Sequence, residues 1–363
     1  MKKLLLFAND TTYTYNLRRE LIRRFIQDGY DVAAVCERLT LAEELEALGC
    51  RITDIAPGRH GTDPVEDTKL LLKYIKVLRS EKPDAVITYN IKPNVYCGLA
   101  CRMLGIKYYP NVTGIGTVTE KTGLMKKLIL GLYRAGLSGA SCIFFQNAEN
   151  LAMFRTEKII SEKNAVRLIP GSGVSLETHR PFPYERGEDV NFLFVGRIMH
   201  EKGIDELLAA IPAVREKHPE AKFHFCGYFD EEKYKTLFAE AEKNGELKYY
   251  GEQKDVRPFY QMAHCVVLPS YFEGMSNVLL EAGAHARPVI TSDCSGCRDA
   301  ADENENGFLV PVKDADALAA AMEKFLSLSF EEREQMGVKG REKIEKEFDR
   351  QIVADAYINE INR

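Results

Sequence analysis

The chain is predicted to be α/β, with two doubly wound parallel-sheet domains facing a cleft, and three observations carry that expectation. Its 363 residues exceed the roughly 250 at which a single core usually stops growing. Short β-rich runs alternate with longer runs of helical period, the signature of right-handed βαβ units. A stretch with neither period, GSGVSLETHRPFPY at 171–184, interrupts the alternation near its middle.

In the first half KLLLFA, DVAAVCE, RITDIA, AVITYN, KYYPNV, CIFFQN and AVRLIP read as strands. Between them NLRRELIRRFIQDG, LAEELEALG, TKLLLKYIKVLRSEKP, the run after Pro93 and residues 125–138 read as helices. The pattern restarts with NFLFVGR (191–197), KFHFCG (222–227), KYYGE (248–252), CVVLPS (265–270), PVITSD (288–293) and GFLVPV (307–312). The charged helical tail from Phe330 is expected to end by packing back on the first domain. The expected domains are 1–175 and 176–345, with a terminal helix at 346–363. In open α/β sheets ligands bind beyond the carboxyl ends of the strands, so function is sought in the strand-to-helix loops.

Hydrophobic residues make up 45% and charged residues 28%, which is ample core material for a packed enzyme. A net charge of -5 points away from nucleic acid. The nine cysteines are odd in number and sit mostly in apolar runs, as reduced thiols of a cytoplasmic protein do. Cys294 and Cys297 have the spacing of a metal clip, but no second Cys or His pair stands nearby, so no metal site is expected. The opening MKKLLLFAND turns polar at Asn9, too soon for a signal peptide. No run approaches the roughly 20 apolar residues of a membrane span, which leaves peripheral contact only.

The most informative segment is PSYFEGMSNVLLEAGAHARPVITSD. Glu273 sits in its loop, and Glu281 lies eight positions on, inside the next helix. Ser276 or Asn277 is placed to cap that helix, whose first turn exposes N–H groups and about half a positive charge. Gly274 permits close backbone approach, so the amides of Met275 and Ser276 become candidates for holding an anion. Read on their own, Glu273 and Glu281 are equally compatible with an ordinary loop acid and an exposed helix acid. Arg197 and Lys202, in NFLFVGRIMHEKGID, offer a planar fork and a point charge that suit a diphosphate, or else a surface ion pair.

These motifs resemble the retaining family 4 glycosyltransferases of the GT-B fold, whose two domains are Rossmann-like. Glu273-Gly274 and Glu281-Ala282 match that family's Glu-Gly-x-x-x-x-x-x-Glu-Ala pattern, and Arg197 and Lys202-Gly203 match its Arg and Lys-Gly pair. PGSGV at 170–174, GEQKDV at 251–256 and NGFLVPVKDADALAAAM at 306–322 extend the likeness over most of the second half. The resemblance implies that Glu273, Arg197 and Lys202 are catalytic. It implies that Gly274, Met275, Ser276, Asn277 and Glu281 bind the donor, with Glu281 at the ribose and Glu273 at the transferred sugar. The donor it implies is a UDP-sugar, a substrate, with no resident cofactor and no metal.

In the first half, the loop expected after the first strand, Asn9 to Tyr13, lacks the glycine pair that many relatives use near donor phosphates. On the helix that follows, Leu17, Leu21, Ile22, Phe25 and Ile26 form an apolar arc with Arg18 in its middle, at the N-terminal turn. Arg18 either snorkels to water or points into the cleft toward an acceptor phosphate. TyrAsnLeuArg at 15–18 resembles a Tyr-His-Phe-Arg element of bacterial enzymes that extend lipid-diphosphate-linked glycans, and NVTGIGTVTEKTG at 111–123 resembles their acceptor loop. The resemblance makes Asn9, Arg18, Asn111, Thr113 and Gly114 the acceptor-side candidates. The acceptor it implies is a glycan on undecaprenyl diphosphate, at the inner face of the cell membrane. No histidine stands between His60 and His179, so no general-base histidine is expected there. The helix from Leu124 to Leu137 sets Lys126, Lys127 and Arg134 against Leu128, Ile129, Leu132 and Tyr133, which fits a sheet-covering helix or one lying on anionic lipid.

AspAlaAsp at 314–316 is read as a helix cap and not as a metal pair. No Gly-x-Gly-x-x-Gly joins a strand to a helix, which disfavours a nicotinamide or flavin enzyme. The expected function is transfer of a hexose or N-acetylhexosamine to a growing surface glycan. The rivals are a nucleotide-sugar 2-epimerase of the same fold and a non-catalytic sugar-nucleotide sensor.

Overall fold

The computed structural model describes residues 1–58, 63–113 and 123–363, which form two compact units. Unit 1 comprises Met1–Gly173 and Arg350–Arg363, and unit 2 comprises Val174–Asp349. The chain therefore passes between units at 173/174 and 349/350, where the sequence reading places the divisions at 175/176 and 345/346.

Unit 1 runs β1 (Lys3–Asp10), α1 (Thr11–Gln27), β2 (Asp31–Glu37), α2 (Ala42–Ala47), β3 (Arg51–Asp54), α3 (Pro64–Glu81) and β4 (Ala85–Tyr89). A π-turn at Pro93–Cys97 then leads into α4 (Gly98–Leu104), followed by β5 (Tyr108–Val112), α5 (Gly123–Leu137), β6 (Ile143–Phe145), α6 (Ala148–Thr156) and β7 (Val166–Leu168). The seven strands are parallel in the order β3-β2-β1-β4-β5-β6-β7. Because β1 pairs β2 on one side and β4 on the other, the winding reverses between β1 and β4, the switch point of this sheet.

Unit 2 runs β8 (Val190–Val195), α7 (Ile204–Lys217), β9 (Ala221–Cys226), α8 (Lys233–Lys243), β10 (Lys248–Tyr249), α9 (Arg257–Met262), β11 (Cys265–Leu268) and α10 (Asn277–Ala284). It closes with β12 (Val289–Ser292), β13 (Gly307–Val310), α11 (Ala315–Ser327) and α12 (Phe330–Glu347). Its six strands are parallel in the order β10-β9-β8-β11-β12-β13, with the switch point between β8 and β11. All thirteen expected strands are present. Asp314 caps α11 by accepting the Ala317 N–H at 2.8 Å, as the capping reading of that acidic pair requires.

The last helix, α13 (Arg350–Ile361), belongs to unit 1 and packs on α1. Tyr357, fully buried, stacks on Phe144 with ring centroids 4.1 Å apart. Arg350, at the start of α13, is buried and bonds Glu20 of α1 at 2.7 Å and the Gly173 carbonyl at 3.1 Å. Leu21, Ile22 and Phe25 of α1 fill the core on that face, each contributing about 1.5–3 kcal/mol by burial. All nine cysteines are free thiols, and all but the half-buried Cys294 are buried. Among the described residues no helix is long and apolar enough to cross a membrane.

Candidate active site

The charged candidates of unit 2 gather at its switch point. After β8 the chain makes a tight turn at His200–Lys202 before α7 begins. After neighbouring β11 it passes Pro269 and Ser270 to Glu273 and then α10. Adjacent parallel strands bring the two loops together. Gly203 has φ +70°, and a side chain there would lie 2.1 Å from the Pro269 carbonyl oxygen, so only glycine lets the Lys202 turn seat against the β11 loop. The Tyr271 N–H donates to the Glu201 carbonyl at 2.9 Å and ties the loops from the other side. Lys202 Nζ consequently forms an ion pair with Glu273 Oε1, both side chains mostly buried, and Ser270 Oγ donates to the same oxygen at 3.0 Å.

The Glu273 loop is braced by the segment after β12. The Glu273 N–H donates to the Ser295 carbonyl at 3.2 Å and the Ser276 N–H to the Gly296 carbonyl at 3.0 Å. A side chain at Gly296, where φ is +74°, would come within 2.7 Å of the Glu273 and Gly274 carbonyls. This corrects the expectation for the amide pair. The Ser276 N–H is spent on the loop, so of Met275 and Ser276 only the Met275 amide remains a candidate for an anion. The Met275 side chain is buried in the unit 2 core. Of the two possible caps, Ser276 is the one used, its hydroxyl accepting the Leu279 N–H, which leaves Asn277 as the first residue of α10.

Glu281, one turn into α10, accepts the hydroxyl of Tyr260 on its Oε2 at 3.0 Å. Tyr260 is fully buried, and burial with the nearby carboxylate holds its hydroxyl firmly protonated, a fixed donor. Tyr260 is itself anchored by Arg287, a buried arginine that donates to the carbonyls of Tyr260, Gln261, Phe182 and Pro183 at 2.8–3.2 Å. Sequence reasoning missed both Tyr260 and Ser270. Ser270 lies inside the very motif that drew attention to Glu273, whereas nothing in the spacing linked Tyr260 to Glu281.

Arg197 is not drawn into the Lys202–Glu273 pair. It follows β8, is half exposed and bonds Asp230 at 3.2 Å, the surface-pair alternative left open by the sequence.

In unit 1, β1 extends through Asp10 and α1 starts at Thr11, with the Asp10 side chain accepting the Tyr13 N–H at 2.9 Å. The loop expected at 9–13 therefore does not exist, because a good N-cap residue lets strand pass directly to helix. Asn9 lies within β1, one residue before its end, and Arg18 stands about two turns into α1, not in its N-terminal turn. Arg18 does not snorkel either. It is 5% exposed, with its guanidinium 4.2 Å from the centre of the Tyr89 ring at the end of β4. This places it at the switch point of unit 1. Asn111, on the adjacent strand, is fully buried and its amide donates to the Tyr357 hydroxyl. Thr113 directly follows β5, and Gly114 lies outside the described residues. On α5 the basic side is partly spent within the fold, with Lys126 paired to Glu157 at 2.8 Å and Arg134 capping the Lys158 carbonyl at 2.7 Å. Tyr133, assigned to the covered side, is buried, but Leu128 is 51% exposed beside exposed Met125, because the core takes Leu130 and Leu137 along with Tyr133.

Two doubly wound units in one chain, with paired glutamates and a lysine gathered at a switch point, have the build of a GT-B glycosyltransferase. Residues 3–147 match the "Glycosyl transferase 4-like" family model and residues 177–343 the "Glycosyl transferases group 1" model, and the chain belongs to this glycosyltransferase family. It is 24% identical to the N,N'-diacetylbacillosaminyl-diphospho-undecaprenol alpha-1,3-N-acetylgalactosaminyltransferase of Campylobacter jejuni, over 96% of this chain and 95% of that one. It is 26% identical to the capsular polysaccharide biosynthesis glycosyltransferase CapM of Staphylococcus aureus, over 86% and 85% of the two chains. In fold it is similar to Anabaena Alr3699/HepE in complex with UDP and glucose, with TM-score 0.81 over 99% of each chain at 14% identity.

Proposed function

We propose that the chain is a retaining, metal-independent hexosyl- or N-acetylhexosaminyltransferase. Its donor is a UDP-sugar, and its acceptor is a hydroxyl of a growing glycan carried on a lipid diphosphate during bacterial surface polysaccharide assembly. The observation that carries this reading is the Lys202–Glu273 pair at the unit 2 switch point, with Glu281 fixed by Tyr260 on the helix that follows. Lys202, with Arg197 swinging from Asp230, neutralises the departing diphosphate, while Glu273 holds the sugar hydroxyls and Glu281 the ribose. The bond from the anomeric carbon to the phosphate oxygen breaks as the bond to the acceptor oxygen forms on the same face. The leaving phosphate takes the acceptor proton.

On the acceptor side the candidates are Arg18, Asn9, Asn111, Thr113 and Gly114, with Arg18 serving an acceptor phosphate. The relatives support the substrate class, since the Campylobacter enzyme is named for an undecaprenol-linked diphospho-sugar and the Staphylococcus one for capsule synthesis. The enzyme works in the cytoplasm at the inner membrane face. Exposed Met125 and Leu128 flank exposed Lys127 on α5 and form the edge that meets anionic lipid.

The test is UDP release across a panel of nucleotide sugars, with sugar-diphosphate lipids as acceptors and the product's anomeric configuration read by NMR. The expected result is UDP release that depends on acceptor and an α-linked product from an α-linked donor. Release of UDP with a 2-epimerised sugar and no new glycoside would overturn transfer, and a β-linked product would overturn retention alone.

A further inference from the structure

We infer that Ser270 is a positioning residue for the transfer step: it holds Glu273 through the Oε1 oxygen so that Oε2 faces the donor sugar. The inference rests on the proposed role of Glu273.

Glu273 Oε1 has two donors, Lys202 Nζ and Ser270 Oγ, the latter at 3.0 Å. A carboxylate oxygen has two lone-pair directions, so these two contacts fill it. Among the described residues no hydrogen bond reaches Oε2, which leaves that oxygen to accept from sugar hydroxyls. The two donors are not equivalent. Lys202 sits on a long flexible stem and, in the proposed reaction, turns toward the diphosphate as the donor binds. Ser270 has no such freedom. It is fully buried two residues beyond β11, and its carbonyl accepts the Cys294 thiol at 3.3 Å. Just before it, the Pro269 carbonyl lies under Gly203, where no side chain fits. Once Lys202 leaves, Ser270 is the described donor that keeps the carboxylate in its rotamer. A carboxylate held at one oxygen presents the other in a fixed direction, and fixing a reacting geometry is worth most in the transition state. Ser270 therefore acts on turnover through Glu273 and not on nucleotide binding.

The experiment compares Ser270→Ala, Ser270→Thr, Glu273→Gln and the Ser270→Ala/Glu273→Gln double variant. Transfer is followed from the UDP-sugar selected by the release screen, and UDP binding is measured by calorimetry. Loss of a hydrogen bond to a charged group should lower kcat about tenfold in Ser270→Ala, with UDP affinity within about twofold of the parent. Ser270→Thr keeps the hydroxyl and should recover most of that loss. In the double variant Ser270→Ala should add no more than about twofold to the effect of Glu273→Gln, because both act on one carboxylate. An unchanged kcat in Ser270→Ala overturns the inference, as does a full tenfold loss repeated in the Glu273→Gln background or an equal loss of UDP affinity. If Ser270→Ala does not fold, Ser270→Cys, which keeps the shape with a weak donor, is read by the same criteria. Undiminished transfer by Glu273→Gln would instead sink the role of Glu273 itself, a separate outcome.

Discussion

Lys202 and Glu273, 71 positions apart, are bound to each other, with side chains 18% and 16% exposed. A lysine so held must give up its carboxylate before it can serve a diphosphate, so the pair competes with donor binding. Glu273→Gln removes the charge that holds Lys202. UDP affinity should then hold or rise by about threefold while transfer falls about 100-fold, the scale of losing a transition-state contact. Arg197→Ala combined with Lys202→Ala should weaken UDP binding by at least about tenfold. Calorimetry with UDP reads both, and equal affinity of the double variant and the parent would remove these two cations from the diphosphate site.

Tyr260 donates to Glu281 at 3.0 Å from a fully buried position. Tyr260→Phe keeps the ring and deletes the hydroxyl, a loss of about 1.5–3 kcal/mol where the acceptor is charged. Part of that falls on fold stability and part on the carboxylate that meets the ribose. UDP should bind about three- to tenfold more weakly, while inhibition by inorganic pyrophosphate, which has no ribose, should stay unchanged. A parallel loss for both would place Tyr260 in the general support of the site and not behind Glu281.

The strand pattern was legible because every strand carries a compact β-rich run, and the switch points follow from strand order once the two sheets are known. The Glu273–Glu281 spacing and the Arg197 and Lys202 positions were legible as a motif. Their partners were not. That Lys202 meets Glu273 depends on Gly203 seating under Pro269, a long-range contact that no local spacing encodes. The loss of the Ser276 amide depends likewise on the segment after β12. In unit 1 the start of α1 was misplaced because Thr11, Thr12, Tyr13 and Thr14 are weak helix formers, and the Asp10 cap together with tertiary packing overrode that propensity.

Arg18 is buried over Tyr89 and donates to the Leu17 carbonyl at 3.1 Å, and among the described residues no carboxylate pairs with it. A cation–π contact of this kind contributes about 1–2 kcal/mol, against the cost of desolvating the guanidinium. Arg18→Met should therefore change thermal stability little, by no more than about 1 kcal/mol. If Arg18 serves an acceptor phosphate, the same variant should raise KM for a diphosphate-linked acceptor at least about tenfold and leave UDP affinity alone. A large fall in melting temperature with an unchanged acceptor KM would make Arg18 a structural residue.

His285 gives the fold of unit 2 an acid limit. It is fully buried at the end of α10, with Nδ1 donating to the Arg180 carbonyl at 2.7 Å and Nε2 3.0 Å from His179 Nδ1. Burial pulls its pKa from 6.5 down to about 4, helped by the cations of Arg287, Arg257 and Arg341 and opposed by the Arg180 carbonyl. Between those values the unfolded chain binds a proton that the folded chain refuses, so stability falls as pH drops through this window and is fully regained once pH has risen back to about 6.5. The full effect is of order 2–3 kcal/mol by pH 4. His224, also pulled down to about 4 by burial, adds in the same direction. Melting temperature should therefore decline steadily from pH 7 to pH 4.5. His285→Gln should melt lower at pH 7 but with a shallower decline, and an identical slope in that variant would show that His285 does not set the acid limit.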